Sequence, residues 1–233
     1  MENNIIRILL FLTITLVMAC KQNQEKPGGF QGVEQKDAQG NNEFDDLVAD
    51  FESKDRLIWQ KPEMIINRLG DIRNQTVVDL GAGTGFFAFR MVRALPPAKK
   101  VIALDIDQRF ITFMDSAKQE MPADMRARFE TRLVDTDNPK LKNNEADAVV
   151  IVNTYMYIQN RVDYMKLLKK GIAKGGKVLI VEYKEKEIPV GPPVSIKVPL
   201  SIVEKELRTA GFTQIKSDDT SLDYQYIVTA IVE

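Results

Sequence analysis

The run Val77-Val78-Asp79-Leu80-Gly81-Ala82-Gly83-Thr84-Gly85 places three glycines at alternate positions directly behind an apolar stretch. Glycine reaches backbone angles closed to other residues, and without a Cβ the chain can approach a bound ligand closely. A strand that turns this tightly into a helix also leaves N–H groups free at the helix start. The chemistry such a turn serves is recognition of a nucleotide-like ligand. Twenty residues past Gly85 a second apolar stretch ends in Asp105, followed by Ile106. A carboxylate there is placed to accept hydrogen bonds from ribose hydroxyls. Its competing role is to cap the following helix, and it is expected to be solvent-accessible without ligand.

A second group of residues follows the apolar run Ala148-Val149-Val150-Ile151-Val152. Asn153 either meets a ligand at this edge or ends the strand. The rings of Tyr155 and Tyr157 either shape an acceptor pocket and face a bound cation, or pack in the core. Trp59, upstream of the first strand, either closes over a ligand or belongs to the core. No metal-ligating cluster stands out, and no catalytic residue is singled out.

The elements that must position these residues alternate. Strands are expected at Thr76 to Leu80, Val101 to Asp105, Phe129 to Val134, Ala146 to Val152 and Val178 to Tyr183. Helices are expected at Phe86 to Leu95, Gln108 to Glu120 and Val162 to Ile172. Helical spacing also runs through 44–69, with a break at Lys61-Pro62. Continuous apolar strands are buried on both faces, which favours a parallel sheet wrapped by helices. After a proline-rich loop from Pro189 to Pro199, a helix over Ser201 to Ala210 precedes two final strands, Phe212 to Lys216 and Tyr226 to Val232. A short polar link between them favours antiparallel pairing. The class is α/β, a doubly wound, mostly parallel seven-stranded sheet with an antiparallel C-terminal strand and helices on both faces.

With Asp79 ahead of Gly-x-Gly-x-Gly, the chain resembles the class I, seven-stranded methyltransferases that use S-adenosylmethionine. The resemblance covers roughly Phe44 to the C-terminus. It implies that Gly81 and Gly83 line the amino-acid part of the cofactor, with Asp79 supporting that end and Ala82 and Gly85 also counted among the cofactor-binding residues. Asp105 and Ile106 would meet the ribose side, Asp135 the adenine amino group with Asp137 as a rival, and Asn153 the fourth-strand edge. Trp59, Tyr155 and Tyr157 become candidates for the acceptor pocket. A small-molecule branch of the family is similar at Trp59-Gln60-Lys61-Pro62, Gly191-Pro192-Pro193 and Tyr224-Gln225-Tyr226. Where that branch carries histidines, this chain has Met156-Tyr157 and Val194-Ser195-Ile196-Lys197.

The implied function is methyl transfer from S-adenosylmethionine to a small-molecule acceptor. A sulfonium methyl is already electrophilic, so the protein must align a nucleophile and exclude water, without a dedicated base. Two alternatives stay beside it: a non-catalytic S-adenosylmethionine- or nucleotide-binding lipoprotein, and a nicotinamide-dependent oxidoreductase, whose glycine spacing differs. The segment Gly171 to Lys177 imitates a phosphate-binding loop, but Val178 replaces its Ser/Thr and it precedes a strand.

Composition narrows the partners. The 233 residues are 44% hydrophobic and 28% charged, as in folded globular chains. Lys plus Arg number 32 against 33 Asp plus Glu, so no basic excess points to nucleic acid. The absence of histidine removes His-based triads and most zinc chemistry. The single cysteine, Cys20, ends an N-terminal segment with Arg7, an apolar stretch from Ile8 to Met18, and Val17-Met18-Ala19-Cys20. This resembles a bacterial lipoprotein signal over 1–19, with Cys20 lipidated and anchoring the chain to a membrane. Residues 20–43 are too polar to fold alone and read as a tether to a domain over 44–233. Such a signal normally exports the domain attached to it, whereas S-adenosylmethionine is a cytoplasmic metabolite, so the compartment stays open.

Overall fold

The computed structural model describes residues 43–94 and 97–233. The expected signal segment, Cys20 and the tether up to 42 lie outside the described residues. Among the described residues no helix is long and apolar enough to cross a membrane.

The apolar, β-branched runs form strands β1 (Thr76–Leu80), β2 (Lys100–Asp105), β3 (Phe129–Leu133), β4 (Ala146–Val152) and β5 (Ile172–Tyr183). With β6 (Thr213–Asp218) and β7 (Gln225–Ile231) they make one seven-stranded sheet in the order β3-β2-β1-β4-β5-β7-β6. The first five strands pair in parallel, and β7 runs antiparallel to both β5 and β6. The α/β sheet expected from the sequence is therefore the observed one. The final strand inserts beside β5 and leaves the polar β6 at the edge.

Side chains alternate across this sheet, and each face has its own core. Val77, Ala103 and Val150 pack one face with Phe86, Met91 and Met114. Val78, Leu104 and Ile151 pack the other with Met165, Leu168 and Val203. The covering helices are α4 (Ala88–Arg93), α5 (Gln108–Gln119), α6 (Ala123–Arg128), α7 (Arg161–Gly171) and α8 (Leu200–Ala210). The helical stretch ahead of the sheet resolves into α1 (Glu43–Phe51), α2 (Asp55–Trp59) and α3 (Pro62–Asn67), with Pro62 opening α3 as expected of its fixed φ.

Two local expectations are corrected. The strand expected from Val178 begins at Ile172, so Gly175-Gly176 lies within β5, beside a register shift against β4. Helix α4 begins at Ala88 rather than Phe86, although the Phe89 N–H already donates to the Gly85 carbonyl at 2.8 Å. In the strand order, β1 stands between β2 and β4, and the chain changes direction across the sheet there. Ligands of open α/β sheets bind in the crevice at the carboxyl ends of such strands.

Candidate active site

A cavity of about 540 Å³ opens at the ends of β1, β4 and β5. It brings together Asp79, Gly81, Ala82, Gly83, Asn153, Trp59 and Tyr157 from the residues singled out in the sequence. Gly85, Asp105, Ile106, Asp135 and Tyr155 do not line it.

The turn is fastened from below. The N–H groups of Gly81 and Ala82 both donate to the Leu104 carbonyl at 2.9 Å, and the Gly83 N–H donates to Asp105 Oδ2 at 2.7 Å. The turn therefore offers fewer free donors than a helix start would. Gly81 has φ +74°, and a Cβ there would fall 2.3 Å from Thr154 Oγ1, so only glycine lets the turn lie against the β4 edge. From above, the Phe51 ring of α1 covers Gly83, and Thr84 Oγ1 donates to Glu52.

Asp105 departs from expectation. It is buried, at 8% exposure, because both oxygens serve the backbone: Oδ2 accepts from Gly83, and Oδ1 accepts from the Asp107 N–H at 2.9 Å. Burial raises its pKa against those hydrogen bonds. The helix-cap role falls to Asp107, whose carboxylate accepts from the Arg109 N–H at 2.8 Å. Ile106 is 42% exposed, and so is Leu133 at 41%, on the neighbouring strand end paired with Asp105. Asp135 points away into an exposed ion pair with Lys140 at 2.8 Å.

Tyr155 belongs to the core. It is wholly buried, and its hydroxyl donates to Glu206 at 2.8 Å, which Arg161 also holds. Tyr157, two residues on in the same short 3-10 turn, is 53% exposed and faces the cavity. Glu182 anchors this turn from beneath, accepting from the Met156 N–H. Burial raises its pKa to about 8.

The opposite wall rests on a chain of side-chain amides. Gln60 Nε2 donates to Gln225 Oε1 at 3.2 Å, Gln225 donates to Asn153 Oδ1, and Asn153 Nδ2 donates to the Tyr183 hydroxyl at 3.1 Å. Gln60 and Gln225 are completely buried, 165 residues apart in sequence. The Trp59 ring lies 6.2 Å from both Tyr183 and Tyr224, and a Cβ on Gly191 would strike the Tyr183 ring at 2.6 Å. Three short motifs distant in sequence thus meet around Tyr183. Arg56 extends the chain: its Nε donates to Gln60 Oε1 at 3.0 Å, and its guanidinium sits 4.0 Å above the Phe86 ring. Neither Arg56 nor Tyr183 stands out in the sequence, because a lone arginine on a short helix and a tyrosine ending a strand carry no pattern.

The family model described as a methyltransferase domain matches residues 72–227, which span both the glycine turn and most of the amide chain. The chain belongs to this methyltransferase family. A demethylmenaquinone methyltransferase of Lactococcus lactis is 24% identical over 152 residues, covering 64% of this chain and 57% of that protein. A tRNA U34 carboxymethyltransferase of Actinobacillus succinogenes is 24% identical over 134 residues, covering 58% and 39%. The chain thus spans well under two thirds of the length of these relatives. In fold it is similar to a SAM-dependent methyltransferase from Aquifex aeolicus, with a TM-score of 0.73 at 19% identity, covering 81% of this chain and 98% of that one. The nicotinamide alternative loses its support.

S-adenosylmethionine is the cofactor of this methyltransferase family, and the cavity residues fit it. Asp79 Oδ2 is buried without a hydrogen-bond partner, while the Ala88 N–H serves the carboxylate as well. Burial pushes Asp79 up to about 7, with Asp105 adding to the rise and Arg56 opposing it. An ammonium group beside it would satisfy that oxygen and favour the ionised form. Among the described residues, Arg56 is the only Lys or Arg lining the cavity. Burial lowers its pKa to about 10, so it is charged at neutral pH and suited to a carboxylate. One cation and one buried acid beside a glycine turn match the zwitterionic end of the cofactor.

Proposed function

We propose that this methyltransferase transfers the methyl group of S-adenosylmethionine to a small-molecule acceptor, and that the cavity divides into a cofactor end and an acceptor end. Asp79 would hold the ammonium and Arg56 the carboxylate of the cofactor, with Ile106 and Leu133 as an apolar seat for its base. The observation that carries this reading is the unpartnered Asp79 oxygen beside Arg56 at the glycine turn. The bound cofactor supplies an electrophilic methyl group. The chain's own work is to orient the acceptor and exclude water.

The acceptor end is framed by Trp59, Met156, Tyr157, Tyr183 and Pro192. Burial raises the Tyr157 hydroxyl and pushes Tyr183 up to about 12, so neither is a base at neutral pH. An acceptor that is nucleophilic without strong deprotonation suits this wall: a thiol, an amine, or an activated carbon or weakly acidic group. A flat apolar acceptor, of the kind the name of the Lactococcus relative implies, suits aromatic walls better than tRNA suits a chain of net charge -1. The test is to incubate the protein with methyl-labelled S-adenosylmethionine and fractionated small-molecule and tRNA extracts. Label entering a small-molecule fraction is expected. Label entering only tRNA would overturn the acceptor class.

The N-terminal segment is a separate proposal: a lipoprotein signal with lipidation at Cys20, supported by Val17-Met18-Ala19-Cys20 behind an apolar run. Labelling with a fatty acid should mark the wild type and miss Cys20→Ala. Equal labelling of both would end it.

A further inference from the structure

We propose that the outer face of α2, together with the rim around the cavity mouth, docks onto a lipid bilayer. This rests on the cavity being the methyl-transfer site only for its purpose; the docking itself stands on separate observations. Six large hydrophobic side chains are exposed among the described residues: Leu57, Ile58, Ile106, Leu133, Tyr157 and Ile196. Ile106 and Leu133 lie at the paired ends of β2 and β3, where the proposed ligand base would cover them. The other four belong to three elements that frame the acceptor end.

Helix α2 shows the arrangement most clearly. At 3.6 residues per turn, Asp55, Arg56 and Trp59 share one side and line the cavity, which sends Leu57 and Ile58 to the other side. These two are 47% and 75% exposed. The helix is a wall with a ligand on its inner face and unburied aliphatic side chains on its outer one. Tyr157 lines the cavity at 53% exposure, and Ile196, at 38%, follows the cavity-lining Pro192 by one short turn. Single exposed apolar residues are ordinary, but four of these six lie on the three elements that frame one cavity mouth, which marks an interaction surface.

The sequence argues for a bilayer as the occupant. Cys20, the proposed lipid anchor, stands ahead of Glu43 with 22 residues between them, a link that spans roughly 80 Å at most when extended. A membrane holding that anchor would keep the cavity mouth within reach. Charge adds a constraint: α1 carries Glu43, Asp45, Asp46 and Asp50 beside the cavity, which opposes anionic headgroups. Docking would therefore be apolar, and a neutral phosphatidylcholine surface is the proper probe.

Trp59 is the only tryptophan in the chain and sits on α2, on the side away from Leu57 and Ile58 but within one helix diameter, about 10 Å, of them, so its emission reports on the approach of this helix to a bilayer. The full chain is mixed with phosphatidylcholine vesicles whose acyl chains are brominated, and with unbrominated ones. Quenching of Trp59 emission in the brominated vesicles alone is expected. The double variant Leu57→Gln/Ile58→Gln changes only exposed side chains and should lose that quenching, whether or not its N-terminus still holds it to the vesicles. Unquenched Trp59 in the wild type would overturn the proposal and point to a second copy or the chain's own N-terminal segment as the occupant. Equal quenching of wild type and variant would overturn it too. Calorimetric binding of S-adenosylmethionine, measured on the same preparations, separates failure of docking from failure of the cofactor reading.

Discussion

Around Gly81 to Gly83 the cavity wall is main chain held by the end of β2, through one carbonyl and one carboxylate, whereas around Tyr183 it is side chain held by side chain. At the first end, three consecutive N–H groups are tied to the end of β2, so the turn is placed by the sheet itself. At the second, Gln60, Gln225 and Asn153 come from three separate segments and are joined only by amide hydrogen bonds. The first construction tolerates almost no substitution at the turn. The second lets acceptor-facing residues vary while the buried amides keep the wall in place. The difference suits an enzyme family with a constant cofactor and a changing acceptor.

The contrast can be broken most severely at Gly81. Its φ is left-handed and a Cβ would collide with Thr154. Gly81→Ala should lose roughly 2–4 kcal/mol of stability through strain and overpacking, read as a lowered melting temperature. A variant as stable as wild type would mean that the turn is not fixed by its backbone. Next comes Asp105→Asn, where one oxygen becomes an N–H₂ facing a backbone N–H. Loss of about 1–3 kcal/mol is expected from the mispaired donor, so stability falls along with cofactor affinity. Unchanged stability with weakened affinity would restore a direct ribose contact as its main role.

These two residues show what the sequence revealed and what it concealed. The glycine turn, the strand ends at Leu80 and Asp105, and the parallel sheet were legible, because glycine spacing and continuous apolar runs are local signals. That Asp105 is buried could not be read, since its partners, the Gly83 and Asp107 N–H groups, depend on how the turn closes over β2. Tyr155 and Tyr157 differ by two positions, yet one is core and the other faces the cavity, a distinction made by a 3-10 turn that leaves no periodicity. The motifs at Trp59 to Pro62 and Tyr224 to Tyr226 were visible. Only the fold shows that Gln60 and Gln225 touch.

On the side-chain wall, Gln225→Leu should strand the Gln60 amide and the Asn153 oxygen together. A loss of about 2 kcal/mol is expected from buried unpaired groups, together with weakened acceptor turnover and little change in cofactor affinity. Loss of cofactor affinity alone would show that the two ends of the cavity are not independent. The smallest effect is expected at Asp135. It sits in an exposed pair with Lys140, so Asp135→Ala should change stability by under about 0.5 kcal/mol. A clear fall in S-adenosylmethionine affinity would return Asp135 to the binding site.

Cofactor recognition by Asp79 is most directly tested by calorimetric titration of S-adenosylmethionine into wild type and Asp79→Asn at pH 8, 7 and 6. Asp79 titrates near 7 without ligand, raised by burial and by Asp105 and opposed by Arg56. Because its folded pKa is raised, the folded protein holds a proton that the unfolded chain releases between about 4 and 7. Its burial therefore lowers stability as pH rises through that window, a loss that Asp79→Asn should escape. An ammonium ligand needs the ionised carboxylate, so wild-type affinity should fall as pH drops through 7. Asp79→Asn should bind roughly ten- to a hundredfold more weakly at pH 8, the value of one charged hydrogen bond, and lose that pH dependence. Equal affinity of the two proteins, with the same pH profile, would contradict the assignment of this cavity to the cofactor.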